Sequence, residues 1–407
     1  MSDRLQTLAR KFESLFAARH AAAARAPGRV NLIGEHTDYN DGFVMPYAIS
    51  MDVLALGRAR NDLRMRLHSV NFDRTVEFTP GDSLEEAPPW LRYVAGVFMS
   101  IREFTGRELP GFDALVQGSV PIGSGLSSSA AVEVATGMLI ADLNGLNVAG
   151  ETLARLCQSA EHRCVGIRSG IMDQFASRLC RAGNALFLDC RTLEYEHVPL
   201  ALGGHELLIL DTGVSRGLAG SEYNARRAAC EKGVALIAEN LPRVRALRDV
   251  TPEVFAEISV RWDPVLRETC SHVVNENRRV LQSVEALRRG DLATFGGLMC
   301  ESHASLRDAY RVSCPELDLL HDVSMKIEGV IGERMTGAGF GGCAIALVRR
   351  DAAGEYTEKI KRAYVAGTGR ELRIYAAAPA DGAGIIPAGA AANPRQTCVI
   401  EGTEAHK

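Results

Sequence analysis

The apolar positions change period several times along the chain. Leu5, Leu8, Phe12, Leu15 and Phe16 recur at helical spacing, which predicts an amphipathic helix near the N-terminal end. Pro27-Gly28 interrupts it, residues 29–33 read as the start of a strand, and Asn40-Asp41-Gly42 reads as a turn. Residues 43–60 are apolar and β-rich. Between 61 and 77 polar and apolar residues alternate, as in Arg64-Met65-Arg66-Leu67-His68, so strands are expected. A helix is predicted over 90–104 and a strand over 112–120. Then come a glycine-bearing loop at 121–125 and an alanine-rich helix over 126–143, stopped by Asn144-Gly145. Further helices are expected at about 152–165 and after the loop at 166–170. The second half predicts a strand at 205–210 and helices at 222–237, 271–289 and 317–329. A glycine loop at 335–342, a strand at 343–348, a helix at 355–366 and a strand at 372–376 follow. Residues 382–394 are rich in Ala, Gly and Pro and read as a loose tail. A boundary near residue 200 divides the chain into a lobe over 1–200 and a lobe over 201–380, with 381–407 as tail.

Bulk composition narrows the class. The chain has 407 residues, 46% hydrophobic and 24% charged, as ordinary globular proteins do. Its formal net charge of -4 shows no basic surplus of the kind nucleic-acid binders carry. None of the ten cysteines forms a C-x-x-C pair, so neither zinc nor thiol redox chemistry is indicated. Cysteines used as small buried hydrophobes suit a reducing compartment, and a cytoplasmic location is expected. The first residues include Asp3, Arg4, Arg10, Lys11 and Glu13, unlike a signal peptide, and no apolar run is long enough for a membrane span.

Three stretches bear chemistry. Residues 29–40 place Arg29, Glu35, His36 and Asp38 among apolar neighbours. Such side chains need partners, and carboxylates with an imidazole suit sugar hydroxyls, each of which both donates and accepts. A solvated loop with a salt bridge accounts for the composition equally well. In Pro121-Ile-Gly-Ser-Gly-Leu-Ser-Ser-Ser-Ala-Ala, Gly123 and Gly125 let the backbone approach a ligand, and Ser127–Ser129 open a helix whose free N–H groups favour phosphate. A serine-rich cap is the plainer alternative. The chain contains no Gly-Lys pair, so this is not a Walker loop. The third stretch, Met335-Thr-Gly-Ala-Gly-Phe-Gly-Gly-Cys, is glycine-rich. A predicted helix before it and a strand after it invert the order of a dinucleotide fingerprint, and a tight structural turn is the alternative. Glu161 falls on a predicted helix. Asp173, flanked by Gly170, Ile171, Met172 and Phe175, needs a cationic partner or a task, unless it is simply a helix N-terminal acid.

Together these stretches resemble the galactokinases, a branch of the GHMP kinase superfamily. Pro27–Tyr39 is similar to the galactokinase signature, Pro121–Ala131 to the superfamily phosphate loop and Thr336–Cys343 to its third motif. Gly170-Ile-Met-Asp-Gln-Phe, Ser221-Glu-Tyr-Asn-Ala-Arg-Arg and the run from His303 to Leu317 agree as well. The likeness spans about residues 8–378. It implies a two-lobed α/β fold, with an N-terminal lobe like the second domain of ribosomal protein S5, a ferredoxin-like C-terminal lobe and an active site in the cleft between them. It also implies ATP-dependent phosphorylation of the anomeric hydroxyl of galactose. Asp173 would then be the catalytic carboxylate with Arg29 beside it. Glu35, His36, Asp38, Gly170 and Tyr223 would hold the sugar. Gly123, Ser124, Gly125, Leu126, Ser127, Ser128 and Ser129 would wrap the triphosphate, Trp90 would lie near the adenine, and Ser129 and Glu161 would bind Mg²⁺. Galactose and ATP are the expected partners, with no nucleic acid or membrane, and a monomer is expected.

The sequence departs from commoner family choices at Asn40-Asp41-Gly42, at Met45-Pro-Tyr and at Ala338, and Tyr47 leaves room for an altered sugar preference. Two further readings stand beside the first: a kinase for N-acetylgalactosamine or L-arabinose, and a galactose- and ATP-binding sensor without catalysis. An NAD-dependent oxidoreductase rests only on the glycine loops and fails on topology.

Overall fold

The computed structural model describes residues 2–214, 219–376, 378–387 and 398–399. Helices and sheets mix throughout, as the α/β reading expects. A six-stranded sheet runs in the order Gly384–Ile385, Ala22–Asn31, Pro46–Ala59, Phe112–Gly118, Met65–Ser69, Arg74–Phe78. Its pairings are antiparallel except where Met65–Ser69 lies parallel to Phe112–Gly118. The helices Pro89–Thr105 and Ser128–Leu143 cover one face through a core that includes Ala24, Val53, Phe98, Val134 and Leu139. The opposite face carries the helix Ser2–Phe16, whose periodic Leu8, Phe12 and Phe16 are buried against Leu54, Leu56 and Leu115.

A second, four-stranded antiparallel sheet runs Val330–Thr336, Cys343–Arg349, His205–Asp211, Arg373–Ala376. It packs with the helices Ala219–Ala238, Pro264–Arg288, Pro315–Ser324 and Ala353–Thr368 through Leu208, Tyr310, Tyr356, Ile360 and Tyr364. A third cluster sews the halves together: Val30, Leu32, Ile33 and Tyr47 bury against Val280, Phe295, Leu207 and Ile345. The segment after the first strand is thus an insert from one half into the other.

Four sequence expectations need correction. Residues 330–336, left unassigned between the helix expected to 329 and the glycine loop expected from 335, are a strand. The preceding helix stops at Ser324, so the glycine loop joins two strands as a hairpin. The β-branched Val330 and Ile331 mark that strand, and Gly332 breaks its alternation. The helix expected from 126 begins at Ser128. The tail expected to be loose from 381 is not so at its start: Gly384–Ile385 pairs with the edge of the first strand, and Ala383 and Ile386 donate to Ser177 and Ala23 carbonyls. Residues 388–397 and 400–407 lie outside the described residues. Finally, the helices Pro252–Ile258 and Leu292–Ser305 and the strands Asn184–Asp189 and Tyr195–Pro199 were not foreseen. Their apolar runs are short and cannot be told apart by period alone.

The junction between the halves also holds a buried polar knot. Glu276, fully enclosed on the helix Pro264–Arg288, accepts from the Gly34 N–H at 2.9 Å, from Ser302 at 2.6 Å and from Arg279 at 2.7 Å. Burial alone would raise its pKa, but Arg279, His272 and Arg334 outweigh burial and bring it down to about 2. Its stabilising contribution is therefore complete above the ordinary carboxylate pKa and is lost as pH falls toward about 2. Glu276→Ala leaves Arg279 buried without its partner and should cost about 3–5 kcal/mol, read from urea denaturation midpoints at pH 7. A midpoint equal to the parent's would contradict this account.

Candidate functional site

The site begins at an irregularity in the first strand. Pairing with Pro46–Ala59 shifts register between Pro27 and Arg29. Gly28 lies there with no room for a side chain, because a Cβ would stand 2.6 Å from the Leu126 carbonyl oxygen. This close approach lets Arg29 reach the helix entry beside it. Its backbone N–H donates to Leu126 O at 3.1 Å and its side chain to Gly125 O at 2.6 Å. The rest of the guanidinium meets Asp173 Oδ1 at 2.7–2.8 Å. Asp173 sits in the first turn of the helix Met172–Leu179, where the helix dipole favours an anion. The Ser127 hydroxyl donates to its other oxygen.

Ser127 stands at the N-cap position, but its side chain makes no capping hydrogen bond to its own helix. It lies left-handed at φ 57°, and Gly123 and Gly125 are left-handed at 78° and 84°. Alternating left-handed residues turn successive N–H groups toward one centre and make an anion-binding concavity at the helix entry. Gly123, Gly125, Ser127, Ser128 and Ser129 face a cleft of about 560 Å³, a volume usual for small-ligand sites. Ser124 and Leu126 do not face it. Ser124 closes on Pro121 O at 2.8 Å, and the Leu126 side chain belongs to the core, so only their backbones are available.

On one side of Asp173 stands the polar cluster from the first motif. His36, left-handed at φ 64°, contacts the Tyr39 hydroxyl at 2.7 Å and Ala338 O at 3.2 Å, with its ring against Tyr310 and Tyr223. Glu35 pairs with Arg334 and accepts from the Gly337 N–H at 3.0 Å. Asp38 faces Gly170 so closely that a Cβ there would fall 1.9 Å from its carboxylate. Its enclosed setting first, and the negative Asp173 second, push the Asp38 pKa up to about 7. Tyr223 completes this wall, its hydroxyl held un-ionised by burial and by Asp38.

On the other side the cleft turns apolar, with Trp90, Phe72, Pro89 and Ile122 forming a slot. Tyr93, one helical turn from Trp90, lines the cleft beside Ser129. Glu161 reaches the cleft from a π-helical turn, Glu161–Val165, that widens the end of the helix Gly150–Ala160. It accepts from Ser169 and, at 3.2 Å, from Gln174, whose amide also donates to buried Glu133 at 3.0 Å.

The structure therefore gathers Arg29, Glu35, His36, Asp38, Trp90, Glu161, Gly170, Asp173 and Tyr223 around one cleft. Tyr47 is not among them: its side chain is fully buried in the core between the halves, away from the sugar-facing wall. Arg334, Tyr310, Ser169, Gln174 and Tyr93 were not foreseen. Gln174 and Tyr310 lie inside motifs already singled out, next to or near named residues, and only their neighbours drew attention. Elsewhere His303, His321 and Glu333 come together, with the two imidazoles parallel and 4.1 Å apart. Parallel rings send their in-plane lone pairs along parallel lines, so they do not converge on an ion, and one His303 nitrogen already meets the Met335 N–H.

Comparison with known proteins agrees with this geometry. The galactokinase galactose-binding signature matches residues 10–59, the GHMP kinases N terminal domain 92–181 and the GHMP kinases C terminal domain 283–366. A galactokinase of Chloroflexus aurantiacus is 45% identical over 372 residues, covering 91% of this chain and 94% of the relative. One of Clostridium beijerinckii is 42% identical, covering 93% and 98%. The crystal structure of a Lactococcus lactis galactokinase complexed with galactose superposes with a TM-score of 0.89 at 38% identity, covering 93% of this chain and 99% of that one. A Methanococcus jannaschii mevalonate kinase, 18% identical with a TM-score of 0.62 over 89% of this chain and 99% of its own, shares the fold. With the signature, both GHMP domains and near-complete coverage by such relatives, this chain belongs to the galactokinase family of GHMP kinases.

Proposed function

We propose that this chain transfers the γ-phosphate of ATP to the C1 hydroxyl of α-D-galactose, giving galactose 1-phosphate and ADP, the first committed step of galactose breakdown. The observation that carries this reading is the Arg29–Asp173–Ser127 contact, set between a sugar-suited wall and a phosphate-suited helix entry. Glu35, His36, Asp38, Gly170 and Tyr223 face the sugar, Trp90 and its slot face the adenine, and the backbone from Gly123 to Ser129 cradles the triphosphate. The lobe division falls near residue 200.

Phosphoryl transfer depends mainly on placement and on stabilising charge. Asp173 accepts the C1 hydroxyl proton as that oxygen bonds to the γ-phosphorus and the bond to the β-phosphate oxygen breaks. Arg29 holds the carboxylate in place and offsets the negative charge gathering at the transferred group.

The acidic end of the cleft fits Mg²⁺. Glu161 is pushed up to about 7, by burial first; the Ser169 hydroxyl works against this and the charge of Asp173 works with it. Glu133 Oε1 is buried with no hydrogen-bond partner. Surplus negative charge on hard oxygen donors is what Mg²⁺ takes. Ser129 and Glu161 would hold it, and when bound it would draw charge from the β- and γ-phosphates. The nine cysteines from Cys157 to Cys343 are all free, in keeping with a cytoplasmic enzyme. Among the described residues no helix is long and apolar enough to cross a membrane. The chain is read as a monomer.

Three outcomes are expected. Coupled ADP release should follow galactose far ahead of N-acetylgalactosamine, L-arabinose and glucose; preference for another sugar, or binding without turnover, would move the chain to one of the other readings. Asp173→Asn should lower kcat by roughly 10²–10⁴-fold with an unchanged circular dichroism spectrum, and near-parental turnover would remove Asp173 from the mechanism. Because Asp38 titrates at about 7, its acceptor form is gained as pH rises through neutrality. The kcat/KM for galactose should therefore climb about tenfold per pH unit below that point and level off above it. Asp38→Asn should flatten the climb; a profile the same in parent and variant would contradict the assignment.

A further inference from the structure

We propose that Arg334 is a positioning residue of the sugar wall: from behind, it holds Glu35 in place and aimed into the cleft. This rests on the galactose reading above and adds a residue outside the stretches that carried it. Arg334 is fully buried and is the largest such side chain among the described residues. It lies on the strand Val330–Thr336 of the second sheet, yet its contacts are with the insert from the other half. It pairs with the Glu35 carboxylate, and Nη1 donates to the Asn31 and Leu32 carbonyls at 3.2 Å each. The same strand end holds the Asn31 backbone through the Thr336 hydroxyl and gives the Gly337 N–H to Glu35 Oε1. Glu35 thus meets protein donors at one oxygen and the guanidinium at the other. A carboxylate oxygen has two lone pairs, so capacity remains for a hydroxyl in the cleft, which Glu35 lines with His36 and Asp38.

The charge on Glu35 depends on this arrangement. Burial is the strongest influence on Glu35 and favours its neutral form. Arg334 opposes burial, Glu276 adds to it, and the Gly337 N–H opposes it. Of the other groups packed nearby, Arg279 pairs with Glu276 rather than Glu35. His272, whose ring meets the Glu35 carbonyl, is driven down to about 4 by burial and brings no charge at neutral pH. His36 turns its ring nitrogens to Tyr39 and Ala338. Arg334 is the cation in contact with the carboxylate; Nη1 is held by two carbonyls while Nη2 meets Glu35, a two-nitrogen arrangement that a lysine cannot reproduce.

A role exercised through Glu35 leaves a signature that general support of the fold does not. Arg334→Lys and Arg334→Met should raise the galactose KM about tenfold or more while the ATP KM stays within about twofold. In Arg334→Met the galactose KM should depend more strongly on pH than in the parent and fall as pH is raised, since Glu35, already raised by burial, regains its charge only at higher pH without the guanidinium. If either single variant fails to fold, Glu35→Gln/Arg334→Met removes both charges at once and avoids a lone buried ion. Its galactose KM should equal that of Glu35→Gln alone, because once Glu35 is neutral Arg334 has nothing left to hold. Costs that add in the double variant, an equal rise in the ATP KM, or an unchanged galactose KM in Arg334→Lys would each overturn the proposal. A parent enzyme without galactose-dependent ADP release defeats the galactose reading instead, and the comparison is then made with the sugar it does phosphorylate.

Discussion

One contact organises the cleft: the guanidinium of Arg29 against the carboxylate of Asp173. Arg29 is buried at the end of a strand, Asp173 opens a helix, and the two come together only because Gly28 lets the strand press against the Leu126 carbonyl. Any side chain at position 28 would push the strand away from the helix entry. Arg29 would then lose the Gly125 carbonyl and its alignment with Asp173. The Ser127 hydroxyl closes the other side of that carboxylate, so phosphate loop, strand and helix all converge on one pair of oxygens.

Around this contact the protein concentrates acid. The charge of Asp173 raises the proton affinity of Asp38, Glu161 and Glu133, over and above what burial does. Left alone, such crowding is costly. It becomes intelligible if a sugar hydroxyl network and a divalent cation complete the site, for these supply donors and positive charge where the protein does not. The sugar wall is handled differently. Its loop is built from residues 30–38 but braced by Glu276, His272, Arg334 and Gly337, all from the second half of the chain. The loop 30–38 is thereby fixed to the second half of the chain, while the helix that opens at Ser128 packs within the first.

Much of this was legible beforehand. Period-2 and period-3.6 patterns located the first strands and the helices at 90–104 and 128–143 to within a few residues, because long amphipathic or alanine-rich runs admit one reading. Of the nine residues facing the cleft, Arg29, Glu35, His36, Asp38, Glu161 and Asp173 stood out as polar groups in need of partners, while Trp90, Gly170 and Tyr223 were named only through the family resemblance. What stayed hidden was set by tertiary packing. Nothing local to Arg334 says it is buried, since an arginine in an alternating run reads as solvated. Tyr47 looked adjacent to the sugar because it follows the signature closely, yet alternation along Pro46–Ala59 turns it into the core. The π turns at Glu161–Val165 and Leu306–Tyr310, which swing Glu161 and Tyr310 inward, depend on hydrogen bonds no propensity scale registers.

The central claim is spatial: one carboxylate, gripped by Arg29, touches the hydroxyl that receives phosphate. The most direct measurement is a crystal structure with galactose and a non-hydrolysable ATP analogue bound together. This account predicts the C1 hydroxyl within about 3 Å of an Asp173 oxygen, on the line toward the γ-phosphorus, with Arg29 between the two charges. A sugar bound with its C1 hydroxyl turned away from Asp173, or a γ-phosphate seated elsewhere than beside Ser127–Ser129, would contradict it.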